Sequence, residues 1–180
     1  MKILMVGGLG YLGPVISQIV RSSLKLDCLD VVDTGWFLDA AVEPKQYQFD
    51  KIFIGDKRDL GIANLEQYDV VIDLAAVSND PMGKDFESAT IEINAEATVK
   101  LARRAKLAGV KVFIFASSCS IYGAAGDAAR KEEDTKDPLT AYARSKLQAE
   151  RKNINKLSIT ESVHQNCNTI YRQNEKTYQC

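Results

Sequence analysis

Tyr142 and Lys146 stand four residues apart in a stretch patterned as a helix from Leu139 to about Leu157. That spacing sets both side chains on one helix face. A free phenol ionises near pH 10, too high for a base at neutrality. A neighbouring ammonium favours the phenolate and lowers that value. The pair can then exchange a proton with a substrate hydroxyl. Ser118 ends an apolar run and offers a hydroxyl to orient the same oxygen. By itself a Tyr-x-x-x-Lys match is common and marks a solvated helix face. Its weight comes from what precedes it in the chain.

The chain begins with Lys2-Ile-Leu-Met-Val6 and runs into Gly7-Gly8-Leu9-Gly10-Tyr11-Leu12-Gly13. The short apolar run predicts a buried parallel strand. From Tyr11 to Ser22, Leu12, Val15, Ile16, Ile19 and Val20 recur at helical spacing. The glycines therefore fall at a strand-to-helix turn. There they permit a tight turn and close approach to a pyrophosphate, and the helix start offers free N–H groups and a positive dipole end. The spacing Gly7-x-x-Gly10-x-x-Gly13 alone also fits ordinary turns. An acidic residue about 20 residues on would hold the adenosine ribose, and Asp33 closes the run from Cys28 to Val32. Its carboxylate would repel a 2′-phosphate, and no Arg lies nearby in sequence, which favours NAD over NADP. Asp33 equally suits a turn before Thr34-Gly35. Asp30 competes but lies inside the strand pattern.

The elements that must position these groups follow in order. Trp36 and Phe37 sit in a turn, to cover an adenine or to pack locally. Lys51–Ile54 reads as a third strand, followed by Gly55-Asp56-Lys57-Arg58-Asp59. Asp56 would accept from an adenine amino group or cap the short helix that follows. Asp69–Leu74 is a fourth strand that passes into the small residues Ala75 and Ala76; these let a backbone lie close to a dinucleotide, or simply make a tight connection. Residues 79–83 are a loop. A long helix spans about Phe86 to Ala108 with Gly109 as its stop; Asn94 lies inside it, where Asn is mildly unfavourable and usually exposed. Lys111–Ala116 is the fifth strand, and residues 124–138 form a polar surface loop. Five alternations of strand and helix imply right-handed crossovers and a parallel α/β sheet covered on both faces.

The 180 residues suit one domain, 46% of them are hydrophobic, and the net charge is −1. That leaves no basic field for nucleic acid or an anionic membrane. No run approaches the ~20 apolar residues of a membrane span, and no secretory or transit signal is read. Cys28, Cys119, Cys167 and Cys180 form no C-x-x-C pair, and His164 is the single histidine. Reduced thiols, a cytoplasmic location and no metal site are expected.

Taken together, the chain resembles the NAD-binding part of an extended short-chain dehydrogenase/reductase. It is most similar to the NAD-dependent epimerase/dehydratase family, which acts on nucleotide-activated sugars. The residues that carry the resemblance are the 7–13 glycine loop, Asp33, Gly55-Asp56, Leu74-Ala75-Ala76, Asn94, Ser117 to Gly123, and Tyr142-x-x-x-Lys146. They cover roughly the first 150 residues. The resemblance implies a Rossmann-like, doubly wound parallel sheet and these roles. Gly7, Gly10 and Gly13 form the dinucleotide loop, with Tyr11 and Leu12 amides on the pyrophosphate. Asp33 takes the ribose, Asp56 with Lys57 the adenine, and Leu74, Ala75 and Ala76 line the cofactor. Asn94 positions the active-site network, Ser118 binds substrate, Tyr142 is the acid/base, and Lys146 is its partner and a ligand of the nicotinamide ribose.

Two departures shape the expectation. Dehydratases of this family carry Asp-Glu directly after the Ser118 position, where this chain has Cys119 and Ser120. That points to epimerase or simple oxidoreductase chemistry by reversible hydride transfer. Relatives also run to roughly twice this length, with a C-terminal half that binds the nucleotide-sugar. The expectation is therefore a truncated gene product lacking that half. It has a dinucleotide domain over 1–157 and a divergent tail over 158–180, in which Thr169 to Asn174 faintly matches a sixth strand. A homodimer through the Asn94 and Tyr142 helices, using apolar outer positions such as Leu101 and Leu147, is implied by the family. The alternatives are a catalytically incomplete NAD-binding or interaction module, and a reductase of a small carbonyl compound.

Overall fold

The computed structural model describes residues 1–36, 47–78, 86–124 and 130–154. Strand β1 (Lys2–Val6) is apolar on both faces, so it needs cover on both sides. It lies at the centre of a five-stranded sheet ordered β3-β2-β1-β4-β5. Here β2 is Cys28–Asp33, β3 Lys51–Ile54, β4 Val70–Asp73 and β5 Val112–Phe115. All four pairings are parallel.

The pleat sends alternate residues to two cores. Ile3 and Met5 join Leu29, Val31, Val70 and Ile72 on one face. Leu4 and Val6 join Val32, Val71, Phe113 and Phe115 on the other. Helix α1 (Gly13–Ser23) covers the first face through Ile16 and Val20. The second face carries α2 (Ile62–Leu65) and one long helix made of three parts. Those parts are α3 (Glu87–Ile91), a π-helical segment (Glu92–Ala97) and α4 (Thr98–Leu107). Helix α5 (Ala141–Ala149) lies beside them and continues into a π-helical turn, Glu150–Ile154. Helices thus flank both faces of a Rossmann-like sheet. Gly109 stops the long helix with φ +79°, the left-handed closing conformation that glycine adopts without strain.

Three expectations change. In α1, Val15 and Ile19 are 57% and 56% exposed; the helix instead buries the Gly13, Pro14 and Ser17 side, with the Ser17 hydroxyl donating to Pro14 O. Leu101 and Leu147 are not outer positions: they are 0% and 4% exposed, and Leu101 packs into the core on the second face of the sheet. The outward residues around Leu101 are Glu96, Lys100, Arg103, Lys106 and Leu107, a mostly charged face with one exposed leucine. Asn94 is not exposed either, being fully buried. The 79–83 loop, Phe37, part of the 124–138 loop, His164, Cys167, Cys180 and the 158–180 tail lie outside the described residues. Among the described residues no helix is long and apolar enough to cross a membrane.

Candidate active site

The sheet order reverses direction between β1 and β4, and open α/β sheets bind ligands in the crevice outside the carboxyl ends of the strands at such a point. The loops leaving β1 and β4 form its walls. Gly7 N–H donates to Val32 O and Leu74 N–H to Val6 O, both at 2.8 Å. Gly7, at φ +80°, approaches Ala75 so closely that an added Cβ would sit 2.4 Å from Ala75 Cα and N. At Gly13 an added Cβ would fall 1.7 Å from Gly8 O, so this glycine lets helix and loop pack together. Gly10 differs: an added Cβ would meet nothing within 4 Å. The fold does not need that glycine, and it faces open space beside α1. No side chain caps the α1 start, and Pro14 occupies its first turn, where a missing N–H costs nothing. Tyr11 and Leu12 are 89% and 49% exposed at the mouth.

Asp33 bridges two loops. Its Oδ2 accepts from Leu9 N–H at 3.0 Å and its Oδ1 from Gly35 N–H at 2.9 Å. A carboxylate has about four acceptor positions, so lone pairs remain after both bonds. Asp56 caps the short 3-10 turn Lys57–Asp59. Its Oδ1 accepts from Arg58 N–H, and its Oδ2 accepts from the Arg58 guanidinium at 2.8 Å. That guanidinium is the main reason the Asp56 carboxyl titrates below the usual range. The Lys57 side chain points inward, 4% exposed, and its ammonium lies 3.2 Å from Asp73. An ammonium so enclosed has no route to a base; only the Lys57 main chain remains near Asp56.

On the far wall, Asn94 uses its whole amide. Its Oδ1 accepts from Val77 N–H at 2.8 Å, and its Nδ2 donates to Val77 O at 2.9 Å and to Ser145 Oγ at 3.1 Å. Ser145 Oγ donates in turn to Tyr142 O at 2.7 Å. The π-helical segment that carries Asn94 adds a residue to the turn, a feature frequent at functional sites. Lys146 is buried. Its Nζ donates to Ala116 O at 2.7 Å and lies 5.6 Å from the Tyr142 ring centroid and 4.6 Å from that of Phe115. The Lys146 ammonium is thus anchored at the carboxyl end of β5 and lies over the Tyr142 ring. Ser118 is two residues beyond Ala116 and caps the 3-10 turn Cys119–Tyr122. Its Oγ is 2.8 Å from Ser120 Oγ and accepts from Ser120 N–H. Ser117 Oγ donates to Glu150 Oε1. Tyr122, next along, has its hydroxyl pushed up, chiefly by burial.

Sequence reasoning missed Ser145, Val77, Asp73 and Thr98. Ser145 lies between Tyr142 and Lys146 and gave no separate signal. Asp73 looked like an ordinary strand end, although a charged residue closing an apolar strand invites a search for its partner.

The remaining cluster of potential metal ligands among the described residues joins Cys28, Asp30 and Asp50, at the opposite end of the sheet. Asp50 is committed to Arg21 and to Leu29 N–H. Asp30 accepts from the Tyr68 hydroxyl at 2.8 Å. Burial first, then Asp30, pushes the Cys28 thiol up to about 11, so it stays protonated at neutrality and is a poor ligand.

A glycine-lined crevice at the switch point of a parallel sheet defines a dinucleotide-binding class of α/β domain. Residues 3–155 match the model of the NAD dependent epimerase/dehydratase family, and the chain belongs to that family. It is similar to the UDP-glucose 4-epimerase of Lactobacillus helveticus, 28% identical over 156 residues, covering 84% of this chain and 46% of the relative. The UDP-glucose 4-epimerase of Streptococcus mutans serotype c is 32% identical over 158 residues, covering 83% and 45%. The solved structure of MoeE5 in complex with UDP-glucose and NAD matches with a TM-score of 0.70 and 28% identity, over 84% of this chain and 47% of that one. The chain therefore spans about half the length of the curated relatives it matches.

Proposed function

We propose that this chain binds NAD across the β1–β4 crevice. We further propose that it serves the reversible oxidation of one carbinol carbon of a nucleotide-activated sugar, as an epimerase does. The observation that carries the reading is the Lys146 ammonium, held by Ala116 O and lying 5.6 Å from the Tyr142 ring, with Ser118 two residues beyond Ala116 in the chain. The open space at Gly10 fits a pyrophosphate, and the uncapped start of α1 supplies N–H donors there. Asp33 retains acceptor positions for ribose hydroxyls, and its charge disfavours a 2′-phosphate. The Asp56 carboxylate and the Lys57 main chain face the adenine end, with Leu74, Ala75 and Ala76 along the wall.

NAD when bound supplies the hydride acceptor. Ser118 then donates to and orients the substrate hydroxyl. Tyr142 takes its proton as a phenolate stabilised by Lys146, and returns it on the reverse step. Lys146 also binds the nicotinamide ribose. Asn94 holds the Val77 loop and, through Ser145, the turn that carries Tyr142. Cys119 and Ser120 supply no carboxylate pair for water elimination, which favours epimerisation over dehydration. Cys28 and Cys119 are free thiols, which suits a cytoplasmic location. The division into a dinucleotide domain over 1–157 and a tail over 158–180 belongs to the same reading. So does a homodimer through the helices that carry Asn94 and Tyr142.

Titration with NAD tests the reading. Saturable binding that Gly10→Val abolishes is the expected result. Absence of saturable binding, or a Gly10→Val variant indistinguishable from wild type, overturns it. A second reading is an NAD-binding module without turnover of its own. Interconversion of UDP- or dTDP-hexoses by the 180-residue chain would dismiss it.

A further inference from the structure

Behind the crevice lies a set of charged and polar groups that the proposed reaction does not use. Lys57, Asp73 and Thr98 are 4%, 1% and 0% exposed. The Lys57 ammonium donates to Ala75 O at 2.7 Å, to Thr98 Oγ1 at 2.9 Å and to Asp73 Oδ2 at 3.2 Å. The Thr98 hydroxyl donates to Asp73 Oδ2 at 2.8 Å. Asp73 Oδ1 accepts from Ala75 N–H at 3.2 Å.

As a stabilising device this is a poor choice. Desolvating two charges offsets much of what the ion pair returns, and apolar residues of similar volume often serve stability as well or better. Apolar residues, however, cannot bind a peptide. Here both polar groups of the Ala75 main chain, N–H and C=O, are held by the ion pair just where the chain leaves β4. Ala75 is also the residue against which Gly7 packs without room for a Cβ. The three side chains come from the β3 exit, the β4 end and α4, so the clamp ties three elements to one wall of the crevice. We propose that Lys57, Asp73 and Thr98 are positioning residues that set the width of the dinucleotide crevice by fixing Ala75 against Gly7. The inference rests on the NAD reading for its consequence, but its structural claim can be read without NAD.

Two sets of variants test it. The double variant Lys57→Met with Asp73→Leu removes both charges and strands neither. Thr98→Val removes one hydroxyl at constant shape, and Thr98→Ser keeps it. Each is followed by urea unfolding, by amide hydrogen exchange over residues 7–10 and 74–78, and by NAD titration. The urea midpoint of the double variant should fall moderately, because the Ala75 N–H and C=O lose their partners, and that of Thr98→Val should fall less. Exchange at Ala75 to Val77 should accelerate, and the NAD dissociation constant should rise about ten-fold in the double variant, as a small misplacement of a binding wall does. Thr98→Val should show the same change in smaller degree, and Thr98→Ser should restore wild-type behaviour. Unchanged exchange together with unchanged NAD affinity in folded variants overturns the proposal. If the double variant fails to fold, the Thr98 pair decides by the same two readouts. If wild type binds no NAD while the variants exchange faster, the NAD reading fails and the clamp stands. If wild type binds NAD and the loosened variants bind it equally, the clamp fails as a positioning device and the NAD reading stands.

Discussion

Asn94 grips Val77 by both ends of its main chain: the amide oxygen accepts from Val77 N–H at 2.8 Å, and the amide nitrogen donates to Val77 O at 2.9 Å. A side-chain amide here does the work of a neighbouring strand for a segment that has left the sheet. Because Asn94 is 0% exposed, an apolar replacement leaves both half-buried Val77 groups without their partner. Asn94→Leu should therefore lower unfolding free energy by about 2–4 kcal/mol, the cost of lost hydrogen bonds plus stranded polar groups. Asn94→Asp keeps an acceptor for Val77 N–H but sets a carboxylate against Val77 O. It should be no better, as urea unfolding would show.

The glycines of the loop should separate into two kinds. Gly13→Ala places a Cβ 1.7 Å from Gly8 O, so the loop must open. Both stability and NAD binding should fall. Gly10→Ala meets nothing within 4 Å, and removing a glycine at a tolerant site is neutral or stabilising by about 0.4–1 kcal/mol. Its melting temperature should hold or rise while NAD affinity falls. A matched pair of thermal melts and NAD titrations checks both.

Tyr142→Phe removes only the hydroxyl and leaves the ring that lies 5.6 Å from the Lys146 ammonium. NAD affinity should stay near wild type. Hydride transfer from a nucleotide-sugar should fall by about 10²–10⁴-fold, the usual contribution of a positioned acid/base. Single-turnover absorbance of NADH reads the second quantity and a titration the first.

The alkaline limb of stability should depend on Cys28. Its thiol is raised to about 11 in the folded chain, mainly by burial, against about 8.5 when unfolded. The folded state therefore keeps a proton that the unfolded state loses. The associated stability is present below about pH 8.5 and is lost as pH rises towards about 11. Removing the thiol, Cys28→Ala, should flatten the slope of unfolding free energy against pH in that window. Unchanged slopes in the two proteins would refute the assignment.

The sequence alone determined the sheet and the location of the crevice. Apolar strands alternating with amphipathic helices leave few ways to fold, and the Gly7–Gly13 turn, Ser118 and the Tyr142–Lys146 pair all follow from local spacing. Helix bounds were legible for the same reason, down to Gly109 as the stop. Only the tertiary structure decided how distant groups are committed. Lys57 stands next to Asp56 in the chain, yet its ammonium turns inward because Asp73, some 16 residues on, and Thr98, 41 residues on, meet it under the sheet. The family resemblance put Leu101 and Leu147 on an outer face, and both are buried, because the rotation of a helix about its axis is set by what it packs on. Asn94 looked like a mildly unfavourable helical residue, and its partner Val77 lies in a segment with no pattern to announce it. Short-range periodicity is written in neighbouring residues. The pairing of buried polar groups depends on which chain segments the fold brings together, and that information resides in no single stretch.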